Sequence, residues 1–316
     1  MEAAKDLATD LGLGIVLVHA FAKPILGNTS RSLPDRELER DEAHELSQEW
    51  ASGLRDAGLD VEVVAKEEKP AKLILQEARR VGAPLIVVGT EGRSGFQRLF
   101  LGSVAKAVIK DAPVPVLVVP SRMAPRPGGK ADLSRAPSKA PPERVFLVAT
   151  DFSDAGRAAW VAGLALAKDT KAALRLVNVV AFPPTAAFPE SAGFYSPATL
   201  EEDEALALHR AAQWLQDAKK AKLQADARVL LGHPATAILA EAQASGAALL
   251  VVGAHGHARL SDAVMGSVAK SLLVLADRPV LVVPPKASGP PATAPGATRT
   301  TLSAPTARRP QRRSRA

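Results

Sequence analysis

The chain has 316 residues, 47% of them hydrophobic and 23% charged, which suits two domains of ordinary size that each bury a core. The formal charge of +7 would point to nucleic acid or membrane, but Lys286, Arg299, Arg308, Arg309, Arg312, Arg313 and Arg315 stand in a stretch without acids, so residues 286–316 carry all of it. Having no cysteine excludes a disulfide scaffold, a thiol nucleophile and a cysteine metal site, while the acidic start and the lack of an apolar run of roughly 18 residues lead us to expect a soluble, cytoplasmic protein with no membrane partner.

Taken in chain order, residues 1–11 have the spacing of a helix end and Ile15–His19 that of a buried strand. Residues 121–143, rich in Pro, Gly, Ser, Lys and Arg, predict a linker between a first domain at 1–120 and a second at 144–285. The second domain predicts five strands, at 144–149, 173–180, 225–231, 248–253 and 280–283. Their Val-rich runs lack clean alternation, as strands buried on both faces do. Helices are predicted between them at Asp154–Lys168, Thr199–Lys222, Ala235–Ala244 and Ser267–Ala276. Strands alternating with helices imply parallel pairing through right-handed crossovers, hence a doubly wound α/β layer. Residues 286–316 hold one large aliphatic residue, Leu302, and predict a disordered basic tail.

The two halves are copies of each other. Aligning 61–120 with 225–284 without gaps gives 25 identical positions out of 60. Leu85–Gly89 faces Leu249–Gly253, Gly102–Lys106 faces Gly266–Lys270, and Pro115–Pro120 faces Pro279–Pro284. Ile15–His19 matches Leu174–Asn178, but Val145–Asp151 has no counterpart in the first half. The first domain is therefore expected to lack a central first strand, which would leave its neighbours' backbone groups unpaired. In-frame coding sequence upstream of Met1 is the preferred explanation, and degeneracy of the half the other.

At the end of the fourth strand both halves carry Gly, two residues, Gly, nine residues, then Gly-Ser: Gly89, Gly92, Gly102 and Ser103 in the first, Gly253, Gly256, Gly266 and Ser267 in the second. Glycines leaving a parallel strand permit positive φ and close backbone approach. Gly-Ser opening a helix offers free N–H groups and the positive dipole end to an anion. The crevice at the carboxyl ends of the strands is where open α/β sheets bind ligands.

The runs Val87–Gly95 and Arg98–Ala105, with Val148–Ser153 and Gly253–Gly256, resemble the universal stress protein family, and specifically its tandem two-domain members. That resemblance covers nearly all of 1–120 and 144–285. It implies two Rossmann-like domains of the adenine nucleotide alpha hydrolase type, with strand order 3-2-1-4-5, and ATP or another adenine nucleotide at the glycine motif, with Mg²⁺ as an accessory. Carried over by residue, Thr150 and Asp151 would meet the adenosine part, Val179 would line the adenine pocket, and Gly253, Gly256, Gly266, Ser267 and Val268 would hold ribose and phosphates. His255 would reach the phosphate region. His257-Ala258-Arg259 depart from the family's Arg-Ser-Gly at this point. In the first half Gly89, Gly92, Gly102, Ser103 and Val104 are the matching positions, but Glu91 replaces the His and Asp151 has no equivalent. The second half is thus the expected stronger site, in a stress-response protein that signals or protects by binding.

Other chemistries fit less well. There is no Walker Gly-x4-Gly-Lys-Ser/Thr, and Lys106 and Lys270 fall on a solvated helix face. His255 and His257 lack a third metal ligand, no nucleophile elbow is present, and Asp151 alone supports slow ATP hydrolysis at most. The apolar strands Pro115–Pro120 and Pro279–Pro284 belong at sheet edges and need pairing. They would give an intramolecular pseudo-dimer or a homodimer. The alternative function is a dimerisation scaffold without nucleotide, its basic tail binding nucleic acid only weakly.

Overall fold

The computed structural model describes residues 2–21, 33–90, 101–120, 144–181, 197–256, 265–285 and 287. The linker expected at 121–143, nearly all of the tail, Glu91, Gly92 and His257–Arg259 lie outside the described residues. The first half runs α1 (Glu2–Leu11), β1 (Ile15–Phe21), α2 (Leu33–Asp56), β2 (Val61–Glu67), α3 (Pro70–Arg80), β3 (Ile86–Gly89), α4 (Ser103–Asp111) and β4 (Val116–Val119). The second runs β5 (Val145–Ala149), α5 (Asp154–Thr170), β6 (Ala173–Val180), α6 (Pro197–Lys220), β7 (Ala225–Leu231), α7 (Pro234–Ala244), β8 (Leu249–Gly253), α8 (Ser267–Leu275) and β9 (Val280–Val283). No described helix is long and apolar enough to cross a membrane.

Within the second half the strands lie in the order β7-β6-β5-β8-β9, all neighbours parallel, which is the 3-2-1-4-5 arrangement read from the sequence. The sheet then continues into the first half. β9 pairs antiparallel with β4, with Leu117 opposite Leu281, and β4 pairs parallel with β3, giving seven strands in all.

The aliphatic strands fill two cores, one on each face. Leu147 and Ala149 point to one side with Leu250, Val252 and Leu272, while Phe146 and Val148 point to the other with Trp160, Leu166 and Leu174. This is the period-2 alternation of a strand covered on both faces. Residues of both halves share each core: α3, α4, α7 and α8 contribute to the first, and Leu117 and Leu281 meet α5 and α6 residues in the second.

β1 and β2 form a separate parallel pair covered by α2, and among the described residues β1 pairs with no other strand. β3 likewise has a strand on one side only. Nearby, Glu77 is only 4% exposed and its carboxylate accepts from Lys66 Nζ at 2.9 Å and from Arg80 Nε.

Two outcomes follow from this packing. Leu117→Ala and Leu281→Ala are each expected to cost roughly 2–5 kcal/mol in urea denaturation, with a non-additive double mutant because the two face each other across β4 and β9. Lys66 first, then Arg80, hold the Glu77 carboxyl below its ordinary value. Its contribution is present above the unfolded pKa of about 4.3 and is lost as pH falls through the lower folded value. Glu77→Gln should therefore flatten the acid limb of the stability–pH curve, below about pH 5, leaving its slope at neutral pH unchanged.

Candidate functional site

The turn leaving β5 is built by its own side chains. Thr150 Oγ1 accepts the Phe152 N–H at 2.9 Å, Asp151 Oδ1 accepts Ser153 N–H at 3.0 Å, and Ser153 Oγ caps α5 by accepting Gly156 N–H at 3.2 Å. Asn178, buried on β6, donates to the Thr150 carbonyl at 2.8 Å and ties the turn to the neighbouring strand. The tight path puts Phe152 at φ 61°, a left-handed conformation that costs a non-glycine residue and persists only where surroundings enforce it. Here the ring packs edge-on against Trp214 at 5.2 Å.

The turn leaving β8 lies beside it. Ala254 donates to Val283 at 2.9 Å and its carbonyl accepts from Gly266 N–H at 2.8 Å, so one residue clasps the start of α8 to the end of the sheet. Gly266 is the N-cap of α8 and, among the described residues, no side chain caps that helix. Its first-turn N–H groups and positive dipole end therefore face the crevice without an internal acceptor. A Cβ placed on Gly266 would lie 3.5 Å from His255 Cα and 3.7 Å from Gly256 N, so helix start and glycine turn are in contact. Ser267 is exposed, while Val268, Val179, Met265 and Leu230 are partly buried against one apolar cluster.

The reason for the glycines differs from the sequence expectation. None of Gly253, Gly256, Gly102 and Gly266 has a left-handed φ. Close approach is what they supply. A Cβ on Gly253 would stand 2.7 Å from the Ala155 carbonyl oxygen of α5, and one on Gly256 would stand 2.6 Å from Asp151 Oδ2. The Asp151 carboxylate thus lies flat against the Gly256 backbone, and β8 presses on α5. The imidazole Nε2 of His255 is buried and, among the described residues, has no hydrogen-bond partner. A buried ring nitrogen left so is costly, and in an enclosed polar crevice it awaits an acceptor or donor from outside the chain.

In the first half the same clasp recurs: Thr90 donates to Val119 at 3.1 Å and accepts from Gly102 N–H at 2.9 Å, with Gly102 the N-cap of α4 and Ser103 and Val104 following. Gly89 is exposed at the end of β3, whereas Gly253 is buried. Gly92 lies outside the described residues, and no described residue there corresponds to Asp151. Lys106 and Lys270 sit on exposed faces of their helices.

Sequence reasoning missed Asn178, Phe152 and Gly156 as parts of this site. A Cβ on Gly156 would stand 2.5 Å from Thr150 Oγ1, so that glycine too is fixed by the turn. The Thr-Asp-Phe-Ser string carried a usable signal, being a run of local side-chain acceptors ahead of a helix.

A family model described as the universal stress protein family matches residues 1–120 and 143–284. A universal stress protein of Methanocaldococcus jannaschii is 40% identical over 83 residues, 26% of this chain and 49% of that one. A universal stress protein of Bacillus subtilis is 30% identical over 130 residues, 38% of this chain and 87% of that one. The chain thus spans about half the length of the former relative, and nearly all of the latter. The crystal structure of a universal stress protein from Archaeoglobus fulgidus superposes with a TM-score of 0.56 at 21% identity, covering 89% of this chain and 92% of that one, a likeness of fold.

The steric geometry separates two glycines. Gly253→Ala, with backbone atoms under 3 Å from the new methyl, should lower the thermal midpoint by several degrees, whereas Gly266→Ala, with its nearest atom at 3.5 Å, should shift it by no more than about 2 °C. Differential scanning calorimetry of the two variants checks this.

Proposed function

The chain belongs to the universal stress protein family, in its tandem form, and on that premise we propose that its second half binds an adenine nucleotide, ATP with Mg²⁺ being the leading choice, at the carboxyl ends of β5 and β8. The observation that carries the reading is the uncapped start of α8 touching the Gly256 turn, with His255 Nε2 buried and unpartnered among the described residues beside it. Backbone N–H groups of Gly266, Ser267 and Val268 are oriented to receive phosphate oxygens, and His255 Nε2 to hydrogen-bond one of them. Asp151, exposed at its outer edge, accepts from the ribose or base, and the apolar surface of Val179 and Val268 receives the adenine. Gly253 serves the ligand indirectly, by letting β8 and α5 close up behind the crevice. Gly89, Gly102, Ser103 and Val104 repeat the phosphate-binding half of this arrangement in the first domain without its Asp.

With one carboxylate and no paired acid or base, the site suits occupancy as its output rather than turnover. A triphosphate brings Mg²⁺ and its own phosphoryl chemistry. The chain's part is to hold the phosphates on neutral backbone donors and to shield them behind α8. The β4–β9 pairing supports a pseudo-symmetric pair of domains within one chain, and favours the scaffold as the second reading.

Titration calorimetry decides between them. Gly266→Asp places a good helix-capping residue where the phosphate would sit, so the fold should persist while ATP affinity falls at least about tenfold. Asp151→Ala should weaken ATP and leave inorganic triphosphate binding unchanged. If the unmutated protein neither takes up ATP nor carries adenine nucleotide detectable by mass spectrometry after purification, the scaffold reading stands instead.

A further inference from the structure

The internal duplication gives each strand of the first half a partner whose surroundings are known, and one position differs. In the second half β5 lies between β6 and β8, pairing with both. Their counterparts β1 and β3 each pair on one side only among the described residues. α3 packs on both β1 and α4, as α7 packs on both β6 and α8, so the helical cover over this position matches that over β5.

Hydrogen-bond directions agree. Ile15 N–H donates to Asp60 and Phe21 accepts from Glu68, which turns these residues toward β2 and, by alternation, Val16 and Val18 away from it. Ile86 N–H donates to Pro115 and Thr90 N–H to Val119, turning Val87 away from β4. The corresponding second-half residues, Val177 and Val251, flank β5 and are 0% exposed; Val177 accepts from Thr150 N–H at 2.9 Å. Without such a neighbour Val87 is 39% exposed and every residue of β1 is only half-buried. Two parallel edges with matching aliphatic side chains face one strand-wide position.

We propose that the first half is a strand acceptor: the position between β1 and β3 takes one extended aliphatic peptide segment of the β5 type, running parallel to both. The occupant's chemistry follows from the duplicate. Val145–Ala149 supplies five aliphatic or aromatic residues that pack into both cores, and a peptide adding to two open edges at once gains main-chain hydrogen bonds on both sides together with burial on both faces. A polar or proline-containing segment would lose one or the other.

The test uses the full chain and a synthetic peptide copying Arg144–Asp151, with lysines added at its end for solubility. The expected result is saturable one-to-one binding, with amide exchange at Val16, Val18 and Val87 slowed at least tenfold and β6 and β8 unchanged. A scrambled peptide, or one with proline at its centre, should not bind. Val87→Lys, at an already exposed side chain, should abolish binding with an unchanged circular dichroism spectrum. The proposal is overturned by absence of binding, or by strong protection of those three amides before peptide is added. It is equally overturned if sedimentation shows that protection to come from pairing between two copies of the chain.

Discussion

A five-residue strand holds the second half together. Val145–Ala149 hydrogen-bonds to β6 on one side and β8 on the other, sends Leu147 and Ala149 into one core and Phe146 and Val148 into the other, and delivers Thr150 and Asp151 to the crevice. Gly163 fits against it so closely that a Cβ there would stand 2.8 Å from Val148 Cγ2. The first half is a natural comparison. Its glycine clasp and its helices follow the same plan, yet with no described strand between β1 and β3 the pair β1–β2 stands as a sheet of its own and the exposed face grows.

The candidate site depends on this strand by geometry more than by chemistry. Asp151 acts where it does because the turn that begins at Thr150 is closed by three side-chain acceptors in succession and anchored by buried Asn178. The strain held at Phe152 is offset by its contact with Trp214, and Trp214 is itself covered by Arg157, which also pairs with Asp217 at 2.6 Å. A short polar turn is thereby made stiff enough to keep a carboxylate against the Gly256 backbone.

Much of this was legible in the sequence, and the portion that was not has a common cause. Strand positions in the second half are right to within a residue because buried parallel strands advertise themselves as Val-rich runs, and the duplication located the crevice twice. The glycines were read for the wrong property. Positive φ is a local matter that spacing suggests, whereas the contacts of Gly253 with Ala155 and Gly256 with Asp151 join segments far apart in the chain. Asn178 was hidden for the same reason: in a strand of aliphatic residues its polar side chain has meaning only once Thr150 is known to lie beside it.

The antiparallel meeting of β4 and β9 has a directional consequence. Since β3 runs with β4, and β8 with β9, the carboxyl ends of the two halves open on opposite margins of one sheet. The Thr90–Gly102 and Ala254–Gly266 clasps therefore look away from each other, and no small molecule can touch both. Whatever one margin senses can reach the other only as a displacement carried along the strands themselves, through the Leu117–Leu281 contact at their junction, so the sheet would act as a lever as much as a support.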